Sequence, residues 1–172
     1  LKVIMVKELF ITGAGVSAGS GIPTFRGSDG FWTIGSVNYT PQEMATRKMY
    51  EDNPIQFLLW YYKRFATYKD SKPNIVHRWL SDKKLITQNI DGLDFKAGNV
   101  NYIPIHGRLD KLITYDDEMK FQEPIDANWE DIEDKVDDEE LSRNLLNKFK
   151  ISTVNEISKP KLGFSFKPFV LL

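Results

Sequence analysis

The chain has 172 residues, of which 41% are hydrophobic and 27% charged, and its formal net charge is -1. This composition is ordinary for a globular domain that forms a hydrophobic core. The near-neutral charge, and the lack of an apolar run approaching roughly 20 residues, lead us to expect neither a nucleic acid nor a membrane as partner. The chain contains no cysteine. This excludes disulfides and thiolate zinc sites and is compatible with the cytoplasm, the compartment that we expect.

A glycine-rich turn follows the first predicted strand, residues 3–12. Gly13, Gly15 and Ala18 have the G-x-G-x-x-A spacing of a tight turn from a strand into a helix. The backbone N–H groups of such a turn face one spot that suits a pyrophosphate. We therefore expect the turn to hold a dinucleotide. The alternative is a turn that only packs the helix, predicted for residues 16–21, against the strand.

Residues 22–80 combine a loop with several predicted helices. The loop, residues 22–39, is rich in Gly, Ser and Thr, and such a segment can close over a ligand. Two helix starts follow, because Thr40 and Asn53 are good capping residues and each precedes a proline. Aromatic side chains at three-to-four-residue spacing predict an amphipathic helix over residues 55–68, and a further helix is predicted to end at Leu80.

Two more predicted strands, residues 84–88 and 102–105, alternate with the helices. This alternation favours an α/β fold with an open parallel sheet. Ligand-binding residues in such sheets lie just beyond the carboxyl ends of the strands, where Gly13, Asn89 and His106 all occur. We predict that these three residues meet in one crevice. The His106 imidazole is the candidate base there, because this group titrates near neutral pH.

The chain changes character after His106. Residues 112–115 are predicted as a hairpin strand. An acidic run relieved only by Lys135 occupies much of residues 126–140, and we interpret it as a solvated helix or a mobile insertion. The chain then finishes with the apolar residues 169–172.

Three segments together resemble one protein family. The first reads Gly-Ala-Gly-Val-Ser from Gly13 and continues from Ser20 as Ser-Gly-Ile-Pro-Thr-Phe-Arg-Gly. The second is Thr-Gln-Asn-Ile-Asp-Gly-Leu from Thr87, and the third is His-Gly at His106. In this order they resemble the sirtuins, or Sir2-type proteins, which are NAD-dependent protein-lysine deacylases. The resemblance covers the chain up to Gly107 and then fades.

The resemblance implies a role for each matching residue. Phe25 would lie over the reacting ribose carbon and exclude water, while Arg26 would help to anchor NAD. Asn89 and His106 would be the catalytic residues, with His106 deprotonating a ribose hydroxyl. The implied NAD-binding residues are Gly13, Ala14, Gly15, Ser17, Phe25, Arg26, Gln88, Asn89, Ile90 and Asp91, the last four around the ribose and the nicotinamide.

Tyr61 and Arg64 form a Tyr-x-x-Arg pattern on the predicted helix 55–68. The pattern resembles the pair that binds the distal carboxylate of the acyl group in desuccinylase-like sirtuins. A phenol and a guanidinium one helical turn apart can hold a carboxylate. The alternative is that Tyr61 belongs to the core and Arg64 to the solvated surface.

The sequence also departs from the family pattern. Asp94 stands where the family usually has histidine. The zinc cysteines are missing, so we expect no zinc and a remodelled, partly flexible small module over residues 108–168. Residues 1–107 would be the N-terminal part of a Rossmann-like NAD-binding domain with helices on both faces of its sheet, residues 22–80 including the cofactor loop and a helical insertion. Residues 169–172 would begin an incomplete returning strand, and we therefore expect the chain to be either a fragment or a reduced domain.

The resemblance implies an enzyme that removes acyl groups from protein lysines and releases nicotinamide and O-acyl-ADP-ribose. The acyl group would be acetyl, with succinyl or malonyl as the other option. Its partner would be an acylated lysine of a protein substrate, and we expect a monomer. An NAD glycohydrolase or ADP-ribosyltransferase on the same site, or an inactive NAD-binding fragment, stays open. A dehydrogenase is disfavoured, because no acidic residue follows the glycines at the ribose-binding distance of roughly 20 residues.

Overall fold

The structure is a computed structural model that describes residues 8–24, 32–117, 122–133 and 135–171. Its strands are β1 (Phe10–Thr12), β2 (Trp32–Ile34), β3 (Val37–Tyr39), β4 (Leu85–Thr87), β5 (Tyr102–Pro104), β6 (Gly107–Thr114), β7 (Ile125–Asp126), β8 (Ser152–Val154), β9 (Ile157–Lys159) and β10 (Phe166–Val170). Its helices are α1 (Gly15–Ala18), α2 (Pro41–Met44), α3 (Arg47–Asp52), α4 (Pro54–Tyr68), α5 (Ile75–Leu80), α6 (Leu93–Lys96) and α7 (Asp138–Lys148). None of the helices in these ranges is long and apolar enough to cross a membrane.

A three-stranded parallel sheet in the order β1-β4-β5 forms the first half of the molecule. Its register places Ile11 beside Ile86 and Ile86 beside Ile103. On the opposite face, Phe10 packs edge to face against Trp79 of α5, with ring centroids 5.1 Å apart. The parallel strands and intervening helices confirm the α/β class. The isoleucine face is open at both outer strands, since Ile11 is 68% and Ile103 60% exposed.

The helix starts follow the predicted capping chemistry. Thr40 forms a capping box with Glu43, and Pro41 begins α2. Asn53 caps α4 and Asn74 caps α5. The helix after the glycine turn is shorter than predicted, because α1 ends at Ala18 and Gly21 adopts a φ of +83° that does not continue a helix.

A second sheet, antiparallel and in the order β10-β6-β7, follows the parallel one. The hairpin strand predicted for residues 112–115 is the end of the longer β6. The residues predicted to begin a returning strand at 169 lie within β10, which pairs with β6 and not with the parallel sheet. A Cβ on Gly107 would lie 2.0 Å from the Phe169 carbonyl oxygen, so this close approach of β6 and β10 requires glycine.

The hydrophobic core lies between α4 and this second half of the chain. Trp129, inside the acidic run, is 1% exposed, and its ring packs against those of Tyr62, Phe65 and Phe149. The run then forms the first turn of α7, where Asp137 caps the helix and the acidic residues favour its N-terminus. The solvated-helix interpretation therefore holds for residues 138–140, and Leu141, Leu145 and Leu146 on the same helix are buried.

Candidate nucleotide site at the strand ends

The glycine turn after β1 and the loop after β4 are joined by hydrogen bonds. The Asn89 side-chain amide donates to the Gly13 carbonyl oxygen and to Ser17 Oγ, both at 3.1 Å. Apart from adjacent residues of the chain and the backbone of α1, no described atom lies within 4 Å of the position that a Cβ would take on Gly13 or Gly15. Among the described residues, the turn is thus anchored on the Asn89 side and uncovered on the side of its glycines.

His106 joins the same group of strand ends. Its Nδ1 lies 3.1 Å from the Gln88 carbonyl oxygen, one residue before Asn89. A carbonyl oxygen only accepts, so Nδ1 carries the proton in the neutral ring and Nε2 keeps its lone pair. The structure therefore brings together the three strand ends at which the sequence predicts a crevice, with a proton acceptor at Nε2.

Ser17, 1% exposed, connects the turn to Asp91. Its hydroxyl donates to Asp91 Oδ2 at 2.6 Å, and Asp91 Oδ1 accepts from the Leu93 backbone N–H at 2.9 Å. Both oxygens of this carboxylate are therefore held within the site. The Ile90 carbonyl oxygen, in turn, accepts from the Leu109 N–H at 2.8 Å, which ties the loop to β6.

His77 belongs to the site as well, although no sequence pattern described above points to it. The ring is fully buried, and its Nε2 lies 3.5 Å from Ser17 Oγ. The Asn74 backbone N–H donates to Nδ1 at 3.3 Å, so the neutral ring carries its proton on Nε2, facing Ser17. The sequence feature that could have indicated the position of His77 is Asn74, which caps α5 and lies three residues before His77.

Asp94 lies under the same strand ends and is 3% exposed. Burial raises the pKa of its carboxyl, the neighbouring Asp91 carboxylate adds to the rise, and the His77 and Thr87 side chains oppose it. Within the described ranges, Asp94 Oδ1 has no hydrogen-bond partner. The departure from the family pattern at this position is therefore a buried acid.

Tyr61 and Arg64 lie on α4, where both contact aromatic side chains of the same helix. Tyr61 is 2% exposed, its ring packs against those of Phe57 and Trp60, and burial raises the pKa of its hydroxyl. The Arg64 guanidinium lies over the Trp60 ring, 4.9 Å from its centroid. Tyr61 is thus a core residue, as the alternative interpretation has it, and carboxylate binding by the pair stays a prediction.

Two predicted cofactor residues, Phe25 and Arg26, lie outside the residues that the structure describes. Among those that it does describe, no group of three or more His, Asp or Glu side chains is arranged to hold a metal ion.

The sequence is similar to curated proteins from several prokaryotes. It is 40% identical over 109 residues to the NAD-dependent protein deacylase 1 of Caldanaerobacter subterraneus subsp. tengcongensis, a match that covers 59% of this chain and 43% of that protein. The NAD-dependent protein deacylase 1 of Archaeoglobus fulgidus is 42% identical over 106 residues, with 58% of this chain and 42% of the relative covered. The chain therefore spans less than half of the length of these relatives.

Solved structures agree with the sequence match. A Sir2 homolog–NAD complex superposes with a TM-score of 0.61 at 29% identity, covering 95% of this chain and 56% of that one. A mutant Sir2 homologue in complex with 2'-O-acetyl ADP ribose also gives a TM-score of 0.61, at 28% identity, with 95% and 57% covered. The model of the Sir2 family matches residues 13–164, most of the chain. The chain, with its partial Rossmann-like sheet, belongs to the Sir2 family.

Proposed function

We propose that this chain contributes the nucleotide site of an NAD-dependent protein-lysine deacylase. One observation carries the proposal. The Asn89 amide is bonded to the glycine turn, while His106 is bonded to the carbonyl oxygen one residue before Asn89. An amide, a carboxylate and a basic nitrogen therefore surround one open edge of the sheet. Both relatives reported above are named NAD-dependent protein deacylases, and this similarity supports the assignment.

The residues of this edge fit NAD. Gly13 and Gly15 leave space over the turn where a Cβ would otherwise project, so a pyrophosphate can approach the backbone closely. Asn89 and Asp91 would hold the carboxamide of the nicotinamide, and Gln88, whose side chain is exposed, would contact the ribose. Ala14, Ser17 and Ile90 complete the set among the described residues.

NAD, when bound, would supply a ribose carbon whose bond to nicotinamide breaks as the acyl oxygen of the substrate attacks it. The part of His106 is to accept a proton from a ribose hydroxyl at Nε2, the ring being held by its Nδ1–H bond to Gln88. Asn89 contributes orientation, because its amide is fixed by two acceptors before any ligand arrives.

We further propose that Tyr61 and Arg64 determine the preference for the acyl group. Tyr61 and Arg64 would favour acyl groups with a distal carboxylate, and replacing Arg64 by Met should then lower the turnover of succinyl-lysine relative to acetyl-lysine.

We also propose that the protein is a monomer in the cytoplasm. It would act on acylated lysines of protein substrates and would need no zinc ion. Residues 1–107 would form the nucleotide-binding part and residues 108–168 the small module.

The test is nicotinamide release from NAD in the presence of an acetyl-lysine or succinyl-lysine peptide. Replacing His106 by Ala should lower the rate roughly 10²- to 10⁴-fold, the usual contribution of a positioned base. Ile105→Ala, beside it on the same loop with a side chain 48% exposed, is the matched control. Unchanged deacylation in His106→Ala contradicts the proposal, and ADP-ribose in place of O-acyl-ADP-ribose identifies the glycohydrolase instead.

A further inference from the structure

We propose that a cavity formed by the last turns of α7, strand β8 and Phe164 binds a small organic anion, a carboxylate or phosphate group on an aromatic body. The cavity has a volume of about 420 Å³ and is open to solvent. Sites for small molecules usually enclose roughly 300–1,000 Å³, so the space suits such a ligand. The polar and aromatic residues that line it are Arg143, Asn147, Lys150, Ser152, Thr153 and Phe164.

The charge of the cavity indicates an anion. Its charged lining residues are Arg143 and Lys150, and none of the described residues that line it is acidic. The Arg143 guanidinium pairs with Glu139 at 3.2 Å, but these two side chains are 62% and 84% exposed. A pair so exposed to water contributes little, so an anion in the cavity can compete for the guanidinium.

Aromatic rings hold the second cation and supply an apolar wall. The Lys150 ammonium group lies 4.5 Å from the centre of the Phe166 ring and 5.8 Å from that of Phe164. Such contacts hold a cation in place but do not neutralise its charge, so the ammonium group can still attract an anion. Phe164 lines the cavity and is 52% exposed, which leaves ring surface for an aromatic ligand to cover.

The backbone of Lys150 supports a use for its side chain. The Lys150 N–H donates to the Asn147 carbonyl oxygen at 3.1 Å and the Ile151 N–H to that of Leu146 at 2.9 Å, which is the Schellman pattern of a helix end. Lys150 takes the left-handed position of this pattern, with a φ of +53°. Glycine usually occupies that position, because any Cβ there crowds the backbone. The lysine costs more than glycine would, and binding an anion gives a reason to keep its charge.

The proposed ligand matches these contacts. Its carboxylate or phosphate would bind Arg143 and Lys150, since a guanidinium can hold either group through two parallel hydrogen bonds. Its ring would pack on Phe164. The exposed side chains of Asn147 and Ser152 would add uncharged hydrogen bonds. A neutral molecule of the same shape would gain nothing from the two cations.

The experiment follows the backbone ¹H–¹⁵N signals of the chain during titrations with benzoate, phenyl phosphate and, as the neutral probe, benzyl alcohol. Both anions should shift the signals of Ser152 and Thr153, and benzyl alcohol should bind at least about fivefold more weakly. The anion that binds more tightly identifies the charged group that the cavity prefers. The proposal is wrong if no probe shifts these signals, or if benzyl alcohol binds as tightly as the anions.

Two variants separate the cavity from a general attraction between anions and surface cations. Arg143→Gln should weaken the binding of the tighter anion about fivefold or more. The matched control is Lys48→Gln, which removes a cation of α3 that is 84% exposed and also pairs with an acid four residues away. This control should bind like the wild type. Equal weakening in both variants would overturn the proposal.

Lys150→Gly gives a second signature. It should weaken anion binding as Arg143→Gln does, while the midpoint of urea unfolding should not fall, because glycine suits the left-handed backbone. Full affinity in this variant contradicts the role of the ammonium group. These measurements need neither NAD nor turnover, so their outcome is independent of the proposed deacylase function.

Discussion

The strand-end cluster and the core of the second half of the chain use burial in opposite ways. In the core around Trp129, the buried side chains are mainly large and apolar, including Phe57, Leu145 and Phe149. In the cluster they are polar, with Ser17, His77, Thr87 and Asp94 each at most 3% exposed. Shape complementarity stabilises the first region, while the second depends on the direction of each hydrogen bond. We therefore expect mutations in the core to lower stability and mutations in the cluster to lower nucleotide affinity first.

The largest expected effect on stability is that of Trp129→Ala. The change leaves a cavity between α4 and α7 and removes the donor of the bond from Trp129 Nε1 to the Leu109 carbonyl oxygen, 2.8 Å long. The free energy of unfolding should fall by about 3–5 kcal/mol in urea titrations. Trp79→Ala, at a tryptophan that is 58% exposed, is the control. Equal losses for both tryptophans would contradict the contrast between the regions.

Ser17→Ala should have an intermediate effect on stability and a clear one on binding. It leaves the Asn89 amide and Asp91 Oδ2 without the Ser17 hydroxyl, at a cost of about 1–3 kcal/mol in unfolding free energy. ADP-ribose affinity measured on the folded variant should fall as well. Ser36→Ala, in the exposed turn between β2 and β3, should change neither quantity. A Ser17 variant that loses stability but retains full affinity would show that the cluster is structural only.

Lys167 carries a partly buried charge, so it should make the stability of the protein depend on pH. Burial lowers the pKa of its ammonium group to about 8, and Arg47 adds to the shift. The pKa of Lys167 is therefore lower in the folded chain than in the unfolded chain. Between about pH 8 and 10.4 the unfolded chain binds more protons, so the free energy of unfolding rises with pH by at most about 1.4 kcal/mol per pH unit. Lys167→Met should remove this rise, measured as the difference between the two proteins' urea titrations from pH 7.5 to 10. Parallel curves would place the ammonium in a solvated setting.

The smallest effect should come from the open face of the parallel sheet. Ile11→Thr keeps a β-branched residue in β1 and alters a side chain that is already 68% exposed. The unfolding free energy should change by no more than about 0.5 kcal/mol. Leu85→Ala, on the adjacent strand with a side chain 1% exposed, should cost several times more. A large loss for Ile11→Thr would mean that this face is covered in solution.

Features that depend on a few neighbouring residues could be predicted from the sequence. Thr40 before Pro41 predicted the start of α2, because capping is chemistry within one turn of helix. The proximity of Gly13, Asn89 and His106 was also predictable, since parallel strands present their carboxyl ends at one edge. The same local reasoning overestimated α1, where the small residues after Ala18 do not continue the helix.

The remaining features depend on contacts between distant segments. No local pattern showed that β10 would pair with β6, or that Trp129 in an acidic run would be buried against α4 and Phe149. The same holds for Asp94, which looks like an ordinary polar residue at the start of a helix until α5 and β4 pack around it. Local chemistry determines where helices and strands begin and end. Burial and long-range strand pairing depend on which distant segments cover the same apolar surface, so only the tertiary structure decides them.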